Sequence, residues 1–278
     1  MASNRVLNPT KDRRWFFGFG NMFYKQNHQW WGTRSWLIQF LVWAAVINGM
    51  LLYFILSALN SPAYPAGSEA GSDGLKSAVA DEGILIYFVF AGLFAAAGVA
   101  VKAQDALIAE KRSGTAAWVL SKPISRYTFV LAKLAADVIG ILVTMVIAQG
   151  VIAYIIFKAF TNVSPSIPNC LAAMGLLALM MLFYLCLTYM LGAVSNSRAL
   201  TIGLPMLLVF GAQFGSTVSI LAKIMPWNFI MDTRLNPSLA AALIKGQPLT
   251  TVTPIICTAV MTVLFIMVTI WRFQREEF

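Results

Sequence analysis

The sequence predicts an all-α integral membrane protein with six transmembrane helices. Apolar residues make up 59% of the chain and charged residues 11%, and the mean hydropathy is +0.75, well outside the usual soluble range. Apolar windows approaching or exceeding the roughly 20 residues that cross a hydrocarbon core of about 30 Å fall at 36–59, 84–101, 130–157, 171–194, 199–220 and 251–271. The runs are continuous rather than alternating, which favours helices over barrel strands, because each backbone group in lipid must find its partner within the segment. The chain reads as a single membrane domain over 1–278, with no soluble module large enough to hold its own core.

Before the first span, residues 10–34 form a separate interfacial element. Phe16, Phe19, Phe23 and Trp30 recur at spacings of three, four and seven, and Arg14, Gly18, Asn21, Lys25 and His28 occupy another stripe. An aromatic face opposite a basic one suits an amphipathic helix lying among lipid headgroups. Gly18 and Gly20 weaken its start, so 21–34 is its firmer part. The first apolar run, 24 residues long, exceeds the roughly 7–15 of a signal-peptide core and is expected to stay as an anchor.

Orientation follows from the distribution of Lys and Arg, which concentrate on the cytoplasmic side. Fifteen of the 20 lie in the N-terminal segment, the connection after the second span with the start of the third, the turn at Arg198, and the C-terminus. Lys76, Lys158, Lys223, Arg234 and Lys245 fall on the other side, with Glu69, Asp73, Asp81 and Glu82 in the first outer loop. Both termini are therefore expected in the cytoplasm of a multi-pass protein of the cell membrane. The net charge of +9 reads as a topology signal and an attraction to anionic lipid, not as a nucleic-acid surface.

The connection at 60–83, with Pro62, Pro65, Gly67, Gly71 and Gly74, reads as a flexible outer loop. The outer stretch 222–250 is more structured. Met225-Pro226-Trp227 reads as an interfacial turn with tryptophan at the water boundary, and Asn236-Pro237-Ser238 starts a short helix that ends at Gly246. Cys170, Cys186 and Cys257 lack metal-like spacing, and Cys186 reads as a small buried apolar residue.

The insert at 102–127 is the most informative feature of the chain. Residues 102–112 can continue the second span as a helix, Gly114 breaks it, Thr115 caps a short helix over 116–120, Lys122-Pro123 ends that helix, and Ser125 caps the third span. A merely solvated loop is the alternative, and the apolar cluster Trp118, Val119 and Leu120 argues against it. Glu110, Gly114-Thr115, Leu120-Ser121, Pro123, Ser125-Arg126 and Lys133 at these spacings resemble the segment between the second and third spans of ABC-2 type transporter permeases. In that family the segment contacts a separate ATP-binding subunit. The resemblance implies that Glu110, Gly114, Thr115, Trp118, Lys122, Pro123 and Arg126 form an ATPase-coupling element. It further implies two permeases, identical or related, with two ABC ATPase subunits that bind ATP and Mg. This chain has no Gly-x-x-x-x-Gly-Lys-Ser/Thr phosphate loop, so the nucleotide cofactor is expected on the partner and this chain to be non-catalytic.

Within the spans, Asn48, Asp137 and Gln213 stand out, because an unpaired polar group in an apolar segment is costly. Asp137 is expected to pair with Lys133 four residues earlier; Asn48 and Gln213 either line a path or bond between helices. Gly211, Gly215 and Ser219 recur every four residues beside the helix-bending Pro205, and Gly92, Ala96 and Ala100 repeat the pattern on the second span; either stripe serves packing within the chain or a seam between copies. The spans hold no dense ring of ionisable groups, which disfavours an ion conductor or proton relay and favours a hydrophobic or amphiphilic cargo. The competing readings are a membrane scaffold or receptor and an intramembrane enzyme; the single histidine, His28, lies outside the spans and disfavours histidine-based chemistry there.

Overall fold

The computed structural model describes residues 18–61, 71–113, 125–215, 218–233 and 236–276. Among them every regular element is helical. The interfacial helix α1 spans Phe19–Trp31 and starts after Gly18, whose φ of 82° is open to glycine at little cost. The first span, α2, covers Ser35–Leu59 and contains a π-helical turn at Ala44–Asn48. Helix α3 runs over Gly71–Ala103, and after a turn at Gln104 helix α4 continues over Asp105–Arg112. The third span, α5, covers Arg126–Thr161 with a second π-helical turn at Leu142–Ile147, and α6 covers Ile167–Val194. Helix α7 is Arg198–Phe210, α8 is Ala212–Gly215 and α9 is Ser219–Ile224. A 3₁₀ turn at Pro226–Phe229 and α10 over Leu239–Ile244 lead to the last span, α11, over Thr253–Gln274.

Local chemistry accounts for most of these boundaries. The Ser125 hydroxyl accepts the Thr128 amide and caps α5, Asn162 ends the same helix in the left-handed region at φ 57°, and proline stands in the first turn of α6 and α11. Ser238 caps α10 and Gly246, at φ 69°, follows its end, as the outer-helix reading expects. Helix α6 is the centre of the bundle: it contacts α3, α7, α10 and α11, and Phe183, Tyr184 and Tyr189 are fully buried in it.

Among the described residues five helices are long and apolar enough to cross a membrane. The sequence-predicted fifth span at 199–220 is not one helix. Helix α7 has 13 residues, which at 1.5 Å per residue gives about 20 Å, short of the hydrocarbon thickness. The break falls at Gly211, where an added Cβ would lie 2.4 Å from the Leu207 carbonyl oxygen. It leaves the last carbonyls of α7 without intrahelical partners, and the Trp227 indole donates to one of them, Leu208, at 3.0 Å. Trp227 is thus a buried cap, 3% exposed, packed inside the chain. A second correction concerns 71–83, which continues the second span as helix. Val79 and Ala80 are buried there, and Asp81 pairs with Lys245 at 3.1 Å, so packing against the outer segment overrides the turn-rich composition.

Most small residues on the spans receive a large neighbour within the chain. A Cβ at Gly92 would meet Ile230 at 2.5 Å, at Gly98 the Trp43 ring at 2.1 Å, at Gly140 the Trp30 ring at 2.4 Å and at Gly150 the Met174 methyl at 2.4 Å. Ala96 and Ala100 are fully buried. The second-span stripe therefore packs inside the chain.

Candidate coupling face and buried polar contacts

The basic end of the bundle is organised around the two stems of the insert, α4 on the way out and the start of α5 on the return. Lys133 Nζ sits 2.7 Å from Glu110 Oε1 and donates to the Ala106 carbonyl at 2.8 Å, so the stems are bonded to each other. Asp105 on α4 pairs with Arg198 at the start of α7, 2.7 Å away. Lys111 donates to the Ala193 carbonyl at 2.9 Å and Arg112 to the Asn196 carbonyl at 2.7 Å. Arg126 donates to the carbonyls of Gln274 and Glu276, each at 2.6 Å. Below it Phe129 and Phe273 stack at 5.5 Å, both fully buried. Helix C-termini present unsatisfied carbonyls and a partial negative charge, and these basic side chains cover the ends of α6 and α11. Of the expected coupling residues, Glu110 and Arg126 take part in this arrangement; Gly114, Thr115, Trp118, Lys122 and Pro123 lie outside the described residues.

Asp137 does not pair with Lys133. Its Oδ1 accepts the Trp30 indole N–H at 2.7 Å and its Oδ2 accepts the Tyr189 hydroxyl. Residues four apart on α5 share a face, but Glu110 holds the Lys133 ammonium, and the Asp137 carboxyl turns into the core. Trp30 is 2% exposed, and its ring lies over Gly140 with the Lys102 ammonium 4.7 Å from the ring centroid. The interfacial helix is thus fastened to α5 and α6 by one buried carboxyl group. The sequence reading placed Trp30 among aromatics facing lipid; its actual partner lies 107 residues away, which spacing within α1 cannot reveal.

Asn48, 3% exposed, donates to Gln149 Oε1 at 2.8 Å. Gln149 is fully buried, and its amide donates to the Thr144 carbonyl at 2.8 Å, five residues back. A π-helical turn inserts an extra residue and frees a carbonyl from the usual ladder, so the Gln149 amide repairs the bulge in α5 while its oxygen receives the residue that closes the bulge in α2. This joins the two bulged spans and answers the choice left open for Asn48: it bonds between helices. Gln149 was missed by sequence reasoning, although a glutamine in the middle of an apolar run is itself a signal.

Gly211, Gly215 and Ser219 belong to three separate pieces: the turn after α7, the end of α8 and the start of α9. Their spacing of four therefore does not form one continuous helical face. Gln213 lies within α8. The apolar surface around this broken region is open, with Leu207 68% and Phe214 81% exposed.

No group of three or more His, Cys, Asp or Glu able to hold a metal occurs among the described residues. The arrangement is that of a helical bundle braced at one end. No curated protein matches the chain closely. A family model described as ABC-2 family transporter protein matches residues 20–278, which takes in every described helix except the first residue of α1. The chain belongs to the ABC-2 family of transporter proteins and is a membrane-spanning transport permease.

Proposed function

We propose that this permease forms the translocation path of an ATP-driven transporter and is coupled to a separate ABC ATPase subunit through the insert at 102–127. The observation that carries the reading is the rooting of both stems: Glu110 to Lys133, Asp105 to Arg198 and Arg126 to the end of α11. A force applied to the insert is passed to α5, α7 and α11 at once, which is what a soluble motor needs from a membrane bundle. Gly114, Thr115, Trp118, Lys122 and Pro123 are the residues to which this reading assigns contact with the partner. ATP and Mg are bound by the partner, and hydrolysis takes place there.

The functional unit is two permeases, identical or related, with two ATPases, closed by two-fold symmetry. The broken region from α7 to α9, with Gly211, Gln213, Gly215 and Ser219, completes a sixth crossing and lies at the seam between permeases; the exposed Leu207 and Phe214 support that placement. Both termini and the insert face the cytoplasm of the cell membrane, as the charge asymmetry requires. A hydrophobic or amphiphilic substrate moves outward along the seam. Co-purification with the ATPase, followed by ATP hydrolysis and transport assays in lipid, tests the reading. Glu110→Lys should weaken association or uncouple hydrolysis from transport while the protein stays folded, and the swap Glu110→Lys with Lys133→Glu should recover part of the loss. Unaltered assembly, hydrolysis and transport in Glu110→Lys would remove the support for coupling here.

A further inference from the structure

We infer that the C-terminal residues 274–276 are a latch that fixes the spacing between the two stems of the insert. Residue 276 takes part in both halves of the contact. Its carboxylate lies 3.0 Å from Lys111 Nζ on the outgoing stem, and its carbonyl accepts Arg126 Nη1 of the returning stem at 2.6 Å. Arg126 also reaches the Gln274 carbonyl, so one guanidinium caps the end of α11 while Lys111 caps α6 through Ala193. The Lys111 and Glu276 side chains are 8% and 18% exposed, and a pair withdrawn this far from solvent is less screened than a surface ion pair. Glu276, Lys111 and Arg126 are positioning residues: they act by setting the spacing of the two stems.

The two halves separate cleanly by mutation. Arg126 bonds the carbonyl oxygens of 274 and 276, which any residue supplies, whereas Lys111 meets the side chain of 276. Glu276→Lys therefore opposes the outgoing stem and leaves the cap on α11 in place. The geometry rests on the described contacts alone; its consequence for transport rests on the coupling reading above.

The test uses spin labels at Ser113 and Tyr127, one on each stem, in a variant lacking Cys170, Cys186 and Cys257, with the full-length permease in lipid nanodiscs without any partner. The latch predicts one narrow label-to-label distance in the parent, loss of that single distance in Glu276→Lys, and a narrower distribution in Glu276→Gln, whose amide oxygen still faces Lys111, than in Glu276→Lys. The same distribution in parent and Glu276→Lys overturns the latch, as does broadening in Glu276→Gln equal to that in Glu276→Lys. With the ATPase present, Glu276→Lys should lower transport per ATP hydrolysed by about five-fold or more, at the modest end of typical coupling free energies. Broadened distances with unchanged transport per ATP uphold the latch and count against the coupling reading.

Discussion

Replacing Trp30 by phenylalanine isolates one hydrogen bond that holds the interfacial helix to the bundle. The ring that fills the space over Gly140 is largely kept, while the indole N–H that reaches Asp137 Oδ1 at 2.7 Å is lost. Asp137 is 5% exposed, so water does not readily replace the donor, and leaving a buried acceptor unpaired costs about 1–3 kcal/mol. Side-chain hydrogen bonds between membrane helices average only about 0.6 kcal/mol in double-mutant cycles, but there both partners can find substitutes in the unfolded state. Here the acceptor stays buried beside Tyr189, and the expected cost lies toward about 1–2 kcal/mol. At 1.4 kcal/mol per decade this is roughly a five- to thirty-fold rise in local opening of α1, readable as faster amide exchange over Phe19–Trp31 in nanodiscs. The spans, held by packing elsewhere, should keep their protection. A cycle with Asp137→Leu, which removes the acceptor, should show coupling between the two positions. Unchanged exchange in α1, or strictly additive effects of the two substitutions, would refute the assignment of Asp137 as the fastening group.

Other expectations follow from the same geometry. Gly92→Val should displace the outer segment at Ile230, whose side chain already lies 2.5 Å from an ideal Cβ, and lower thermal stability by about 1–3 kcal/mol of overpacking; an unchanged melting temperature would contradict the packing. Gln149→Leu leaves Asn48 and the Thr144 carbonyl without their partner and should destabilise by about 0.6–1.7 kcal/mol, the range of intramembrane hydrogen bonds, with denaturant unfolding in detergent as the measurement. Single cysteines at Gln247 and Ser72 should react with an impermeant reagent outside intact cells, and those at Ser113 and Asn196 only after permeabilisation; outside labelling of Ser113 would overturn the topology. Copy-to-copy cross-links through Leu207 and Phe214 should form in the assembled transporter, and their absence in an active complex would move the seam elsewhere.

The sequence by itself determined the class and five of the six segments it marked as spans, because the requirement that apolar helices satisfy their own backbone in lipid leaves a strong, local signal. The cap at Ser125, the helix start at Asn236-Pro237-Ser238 and the stop at Gly246 were legible for the same reason: each depends on residues a few positions apart. The broken helix at 199–220 was not, since a window average hides a turn at Gly211 whose loose carbonyl is satisfied by Trp227 from another element. Nor could spacing alone choose between Asp137–Lys133 and the contacts the structure makes, because i,i+4 neighbours compete with Glu110, Trp30 and Tyr189 from other helices. The helical extension through 71–83 was settled by burial of Val79 and Ala80 against the bundle, which overrode a glycine-rich composition. Only the tertiary structure brought Glu276 to Lys111 and Arg126: a chain's local pattern specifies where helices lie and end, but which charge meets which carbonyl is decided by how those helices pack.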